Sequence, residues 1–264
     1  MGRNFAAGEL KVDHAVNKFS CGVIGVGAFG TLLAKHVAPL SDMVLYDAVK
    51  DLSVHAKTLG ARVGSLADVA QCDVVVLAVP VQKMEEVLTQ IAPLLKAGAL
   101  VIDVASVKVK IAALMARLLP DTVDIVAAHP LFGPQSGKNG ITNLKLVVCP
   151  VRGTKAGFVR RFCRKALGLK VFMATPEEHD REMAYVQGLT HLLAKVVVKL
   201  DVPKLRFTTK TYELMEQMVD MVRYDSDDLF RAIQRENPFS KPTEAAFFDA
   251  AAQLEKYLDV GKAD

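Results

Sequence analysis

Short Val/Ile/Leu-rich segments alternate with helix-length amphipathic ones over the first two thirds of the chain, and the remainder shows helical periodicity only. These observations predict an α/β chain in two parts, a doubly wound parallel sheet and then an all-helical domain. The expected strands cover residues 21–25, 43–47, 73–79, 100–104, 123–127, 145–150 and 170–174. They are almost continuously apolar, as strands buried on both faces of a sheet must be. Between the first two, Phe29, Leu32, Leu33, His36, Val37 and Leu40 recur at helical spacing. Val87, Leu88, Ile91 and Leu95 do the same after the third.

Thr175-Pro176-Glu177-Glu178 marks a change of architecture. Thr is placed as the N-cap, Pro at the first helical position and Glu at the third, which together start a helix. The expected organisation is an N-terminal extension over 1–19, a sheet domain over 20–174 and a helical domain over 175–264. Residues 183–200 are apolar almost all round, so this helix is expected to be buried on most sides. Residues 212–222 and 245–258 are amphipathic. A helix apolar on most faces in so small a domain needs a partner, and a two-fold homodimer through the helical domain supplies one.

Length and composition bound the function. The chain has 264 residues, 51% of them hydrophobic and 23% charged, which fits one or two folded domains and excludes a disordered chain. Lys and Arg exceed Asp and Glu by 33 to 29, a balance too even to argue for nucleic acid. The longest apolar stretch, 74–81, is far short of a membrane span. Cys21, Cys72, Cys149 and Cys163 form no Cys-x-x-Cys pair, so no metal site is expected, and they suit a reducing compartment. Residues 1–18 carry Arg3, Glu9, Lys11, Asp13 and His14 without an apolar run, so no secretory signal is read there. Ala6 stands where a myristoylation motif needs Ser or Thr. A cytoplasmic location is the default expectation.

Gly25-Val26-Gly27-Ala28-Phe29-Gly30 is a Gly-x-Gly-x-x-Gly run between an expected strand and an expected helix. Asp47 ends the next strand about 20 residues on. This is the pattern of a Rossmann-type dinucleotide site. Gly25 permits the tight turn, Gly27 lets backbone approach a pyrophosphate, and Gly30 lets helix and strand pack. The helix N-terminus offers free N–H groups to the phosphates. A carboxylate at 47 accepts from ribose hydroxyls and repels a 2′-phosphate, so NAD is expected rather than NADP. Ala78, Val79 and Pro80 end one strand and Ser106 follows another, where both loops would run under the nicotinamide half.

His129 follows an apolar strand in Ala128-His129-Pro130-Leu131-Phe132-Gly133-Pro134. The prolines and glycine suggest a rigid loop presenting a neutral imidazole, a suitable base for a hydroxyl that loses its hydride, although a loop histidine is more often structural. Ser106 reads either as a group that orients His129 or substrate, or as a helix N-cap. His191 lies in an apolar helix and reads first as a core histidine. His179-Asp180 reads as a solvated first helical turn. Arg152 to Lys170 is a basic cluster on an expected outer helix and reads as a solvated face.

Five segments taken together resemble the arogenate/prephenate dehydrogenases of tyrosine biosynthesis. They are the glycine run, 103–108, 129–140 (HPLFGPQSGKNG), 178–180 (EHD) and 187–191 (QGLTH). The 129–140 stretch, 209–212 and 225–230 (DSDDLF) are most similar to the arogenate-type branch. The resemblance spans about residues 20 to 240. It implies oxidative decarboxylation of a cyclohexadienol, arogenate or prephenate, with hydride passing to NAD. It further implies His129 as the group that draws off the hydroxyl proton, with Ser106 holding the hydroxyl or His129. His191 and Gln187 would line the substrate pocket, shaped also by Gln135, Ser136 and Lys138. Some members bind substrate carboxylate through an Arg early in a helix of the second domain. Lys210 stands in its place here and lacks the planar two-pronged contact. Plant members prefer NADP and carry a different end to the second strand, and their plastid-targeting segment is not evident here. Two rival readings share the cofactor fold. One is a reductase of the 3-hydroxyacid or imine type, relying on Lys195 or Lys199; the other is a non-enzymatic NAD-binding regulator.

Overall fold

The computed structural model describes residues 18–259. Of the extension read over residues 1–19, residues 1–17 lie outside the described ones.

The first unit is an eight-stranded sheet in the order β3-β2-β1-β4-β5-β6-β7-β8. Chain order gives β1 (Ser20–Ile24), α1 (Ala28–Val37), β2 (Asp42–Tyr46), α2 (Ser53–Leu59), β3 (Arg62–Val63), α3 (Leu66–Ala70), β4 (Val74–Leu77), α4 (Met84–Ile91) and β5 (Leu100–Asp103). Then come α5 (Val109–Leu118), β6 (Asp124–Pro130), β7 (Lys145–Arg152), α6 (Ala156–Lys165) and β8 (Lys170–Met173). One face carries Ala34 and Val37 of α1 with Val159 and Cys163 of α6. The other carries Val69 of α3, Met84 and Leu88 of α4, and Ile111 and Met115 of α5. All four cysteines are free and buried.

The sheet departs from the expected parallel one at its far edge. β6 and β7 pair antiparallel, with His129 opposite Val147. The connection between them holds no helix, so the chain returns as a hairpin; a parallel return needs a crossover. α6 supplies that crossover next, and β7 and β8 are parallel. β3 escaped the sequence reading because two residues cannot display a period.

After Thr175 the described chain is helical: α7 (Pro176–Met183), a π-helical segment (Ala184–Leu189), α8 (Thr190–Lys199), α9 (Lys210–Val222), α10 (Asp227–Arg231), a second π-helical segment (Ala232–Glu236) and α11 (Ser240–Asp259). Thr175 caps α7 as expected. Its hydroxyl accepts the Glu178 N–H at 3.1 Å and the Glu178 carboxylate accepts the Thr175 N–H at 2.8 Å. The two π-helical segments are tied by Gln234, whose side-chain amide donates to the Gly188 carbonyl at 2.7 Å. Residues 183–200 are not buried on most sides within one chain. Tyr185, Val186, Leu193 and Val198 are exposed, because no neighbour among the described residues covers that flank. Among the described residues no helix is long and apolar enough to cross a membrane, and no cluster could hold a metal ion.

Candidate active site

The C-terminal ends of β1, β4, β5 and β6 open into a cavity of about 620 Å³ whose far wall is α7, α8, α9 and α10. Gly27, Ala28 and Phe29 line it from the glycine loop; Ala78, Val79, Pro80 and Ser106 line it from the next two strand ends. A Cβ on Gly30 would lie 2.1 Å from the Gly25 carbonyl oxygen, and one on Gly25 would lie 2.6 Å from that of Ala78. A Cβ on Gly27 would meet nothing within 4 Å, so this position is open on the ligand side. Gly25, Val26, Gly30 and Asp47 do not line the cavity. Val26 buries its side chain in the core and serves through its backbone. The Asp47 carboxylate accepts that Val26 N–H at 2.8 Å, and those of Val49 and Lys50 at 3.0 and 3.1 Å. Partial burial pushes the Asp47 carboxyl up, but these three N–H groups outweigh it and hold it below the usual range.

His129 is not on a loop. It is the second-last residue of β6 and is buried at 4% exposure. Its Nδ1 lies 2.8 Å from Nε2 of His179, whose own Nδ1 lies 2.8 Å from Oδ1 of Asp180. His179-Asp180 is therefore no solvated turn; both side chains are fully buried. The face of α7 that carries His179, Asp180 and Met183 packs onto the sheet unit, so polar residues occupy core spacing. Asp180 Oδ1 accepts the Lys108 N–H at 2.8 Å and Oδ2 the Val109 N–H at 2.9 Å. Burial holds the His129 imidazole well below the ordinary histidine range, and the cationic Lys108 adds to it.

Lys108 is completely buried. Its ammonium donates to Asp103 Oδ2 and, at 2.6 Å, to the Ala128 carbonyl beside His129. Burial pushes the Asp103 carboxyl up against the pull of that ammonium, and among the described residues Asp103 Oδ1 has no hydrogen-bond partner. Ser106 does not cap a helix, since α5 begins at Val109 with Lys108 as its N-cap. His129 Nδ1 is bonded by His179 and not by Ser106. Ser106 is a cavity-lining hydroxyl.

His191, Gln187, Gln135 and Ser136 line the same cavity. His191 Nδ1 lies 2.8 Å from the Gln187 carbonyl oxygen, and Nε2 lies 3.1 Å from Oδ2 of Asp225. Lys138 and Lys210 do not line it. Lys138 sits past the turn where Ser136 Oγ accepts the Gly133 N–H, and is exposed. Lys210 opens α9 on the outer surface and pairs with Glu213 at 3.3 Å. Lys195 pairs with Asp227 at 3.1 Å, and neither it nor Lys199 reaches the cavity. The sequence reading missed four site residues: His179, Asp180, Lys108 and Asp225. Acidic or cationic side chains at core-facing spacing were the available signal for the first three. Asp225 sits in an acid-rich turn with no local sign of which carboxylate turns inward.

A glycine loop, strand-end loops and a buried imidazole facing a helical wall define a two-part protein of the dinucleotide-binding class. The comparisons identify which one. The family description "Prephenate dehydrogenase, nucleotide-binding domain" matches residues 32–160, and "Prephenate dehydrogenase, dimerization domain" matches 175–264. Arogenate dehydrogenase 2, chloroplastic, of Arabidopsis thaliana is 32% identical over 87% of this chain and 67% of its own length. Arogenate dehydrogenase 1, chloroplastic, of the same plant is 30% identical over 94% of this chain. The chain spans 39% of that relative's length. The crystal structure of prephenate dehydrogenase from Aquifex aeolicus, in complex with hydroxyphenyl propionate and NAD+, superposes with a TM-score of 0.73 at 20% identity. The match covers 94% of this chain and 93% of that one, a likeness of fold. The chain belongs to the arogenate/prephenate dehydrogenase family.

Proposed function

We propose that this chain oxidatively decarboxylates a cyclohexadienol, with L-arogenate as the favoured substrate and NAD as the hydride acceptor. The observation that carries the reading is His129. It is a buried, neutral imidazole at the floor of a cavity walled on one side by a dinucleotide loop. The glycine loop fits a pyrophosphate, since Gly27 leaves the approach open at the N-terminus of α1. Asp47 stands at the end of β2 for the ribose hydroxyls. NAD held by this loop and by Ala78, Val79 and Pro80 would supply the acceptor for the hydride on the ring carbon that bears the hydroxyl. His129 Nε2 accepts the hydroxyl proton as that C–O bond becomes a carbonyl. The bond from ring to carboxylate then breaks, its electron pair passes through the ring to the carbonyl oxygen, that oxygen takes the proton back from His129, and carbon dioxide leaves a phenol. Gln135, Ser136, Gln187 and His191 hold the substrate's polar groups from the two sides of the cleft.

Asp225 favours arogenate over prephenate. An ammonium on the side chain calls for a carboxylate in the wall, and a keto group does not. Asp225 lines the cavity beside His191 and is partly exposed to it. The 3-hydroxyacid reductase reading loses its base, because Lys195 and Lys199 lie off the cavity.

A homodimer through α8, α9 and α11 fits the exposed Leu193, Val198, Leu214 and Leu254. A reducing compartment such as the cytoplasm goes with four free, buried cysteines.

The test is NADH formation with NAD and each of L-arogenate and prephenate, with NADP in parallel. Turnover of arogenate with NAD is expected. Binding of NAD without turnover of either substrate overturns the reading.

A further inference from the structure

We propose that His179 and Asp180 are positioning residues that hold His129 as its Nδ1–H tautomer, leaving Nε2 as the bare base toward the cavity. The inference rests on the dehydrogenase reading for its purpose, but its geometry stands independently.

The chain of partners leaves one assignment. A carboxylate only accepts hydrogen bonds. Asp180 Oδ1 lies 2.8 Å from His179 Nδ1, so that nitrogen carries the proton and donates. A neutral imidazole has one N–H, so His179 Nε2 is an acceptor. It lies 2.8 Å from His129 Nδ1, so His129 donates from Nδ1. His129 Nε2 is then the lone-pair nitrogen, and among the described residues no protein group bonds it. His129 lines the cavity, and this nitrogen is the one available there. The opposite tautomer would present an N–H to the substrate hydroxyl and could not accept its proton.

Asp180 can play this part because hydrogen bonds hold both its carboxylate and its backbone. Its two oxygens also accept the backbone N–H groups of Lys108 and Val109 at the start of α5. Its own carbonyl accepts from the Asn237 side-chain amide at 2.7 Å. The base is thus set from the helical side of the cleft and read on the sheet side. When His129 takes a proton, its Nδ1–H still donates to His179, and the Asp180 carboxylate at the far end stabilises the imidazolium. The other charged or titratable groups near His129 are Lys108 on the β5–α5 connection, Asp103 at the end of β5 and His191 on α8. Cys149 on β7 shares the Lys108 and Asp180 fields.

The test reads tautomers directly. Long-range 15N–1H spectra of the histidine rings in the full-length protein should show His129 with a protonated Nδ1 and an unprotonated Nε2. Asp180→Asn removes the charge and leaves one accepting oxygen for three donors, the His179 ring and the Lys108 and Val109 N–H groups. It should weaken the Nδ1–H preference of His129 and lower kcat by about 10³-fold, with the KM for NAD within about threefold of the parent. His179→Gln should lower kcat comparably and displace the acid limb of the pH profile, with NAD binding retained. This second variant serves if Asp180→Asn fails to fold. A His129 that is Nε2–H in the unmodified protein overturns the proposal. So does a His179→Gln enzyme with kcat within threefold and an unshifted pH profile. A protein with the expected tautomer that turns over no cyclohexadienol overturns the dehydrogenase reading alone.

Discussion

The Asp180 carboxylate accepts the Val109 backbone N–H at 2.9 Å, so a side chain of α7 caps α5 across 71 residues of sequence. The free N–H groups at a helix start need an acceptor, and here it comes from the helical domain. Docking of the two parts and orientation of the His129 imidazole therefore depend on one carboxylate. Asp180→Ala should destabilise the fold by about 3 kcal/mol, as the N–H groups of Lys108 and Val109 and the His179 ring lose a buried acceptor. Urea denaturation measures it. An unchanged midpoint would mean that α5 is capped by other means.

His129 itself sets a pH dependence. Burial lowers its folded-state pKa below the unfolded value of 6.5. Below pH ~6.5 the unfolded chain then binds more protons than the folded one at this site. The stabilisation from a neutral His129 is present above that pH and is lost as pH falls toward the depressed value. His129→Ala should remove this part of the acid dependence of the melting temperature. It should also lower kcat by about 10²–10⁴-fold. A near-parental rate would remove His129 as the base.

Asp225→Asn keeps the size of the side chain and removes its charge. Arogenate kcat/KM should fall by about 10- to 100-fold, the worth of a charge-assisted hydrogen bond, and the ratio of prephenate to arogenate turnover should rise. Equal losses on both substrates would point to disruption of His191, its partner at 3.1 Å, and not to recognition of the ammonium.

Asp47 holds the glycine loop through Val26, and its carboxylate would repel a 2′-phosphate placed beside it. In Asp47→Ser, the KM for NAD should rise about tenfold, while discrimination against NADP weakens. Parallel titrations of the two cofactors measure both. Discrimination that does not change places the selectivity elsewhere in the loop.

The exposed apolar flank of α8 predicts association. Light scattering at micromolar protein should give the mass of two chains, and Leu193→Asp should shift it toward one. A parent that is monomeric at that concentration removes the dimer.

Periodicity and glycine spacing make the sheet half legible in the sequence alone. Buried strands must be apolar throughout, and a pyrophosphate loop admits few residues at Gly25, Gly27 and Gly30. The capping box at Thr175 is equally local, set by side chains within one turn. What lies beyond the sequence is everything fixed by contact between distant segments. The antiparallel β7 follows from a connection too short of helix to cross over. Lys138 and Lys210 fall outside the cavity because helix and turn orientation, not residue type, decides which way a side chain faces. His179 and Asp180 look like a solvated first turn because their partners, His129 and the start of α5, lie at least fifty residues away in the chain. Local propensity and pattern act over a few residues and are written in order along the sequence. A chain of hydrogen bonds such as His129–His179–Asp180 is an agreement among donors and acceptors in space, and only the packing of α7 against β6 and α5 brings those groups within hydrogen-bonding distance.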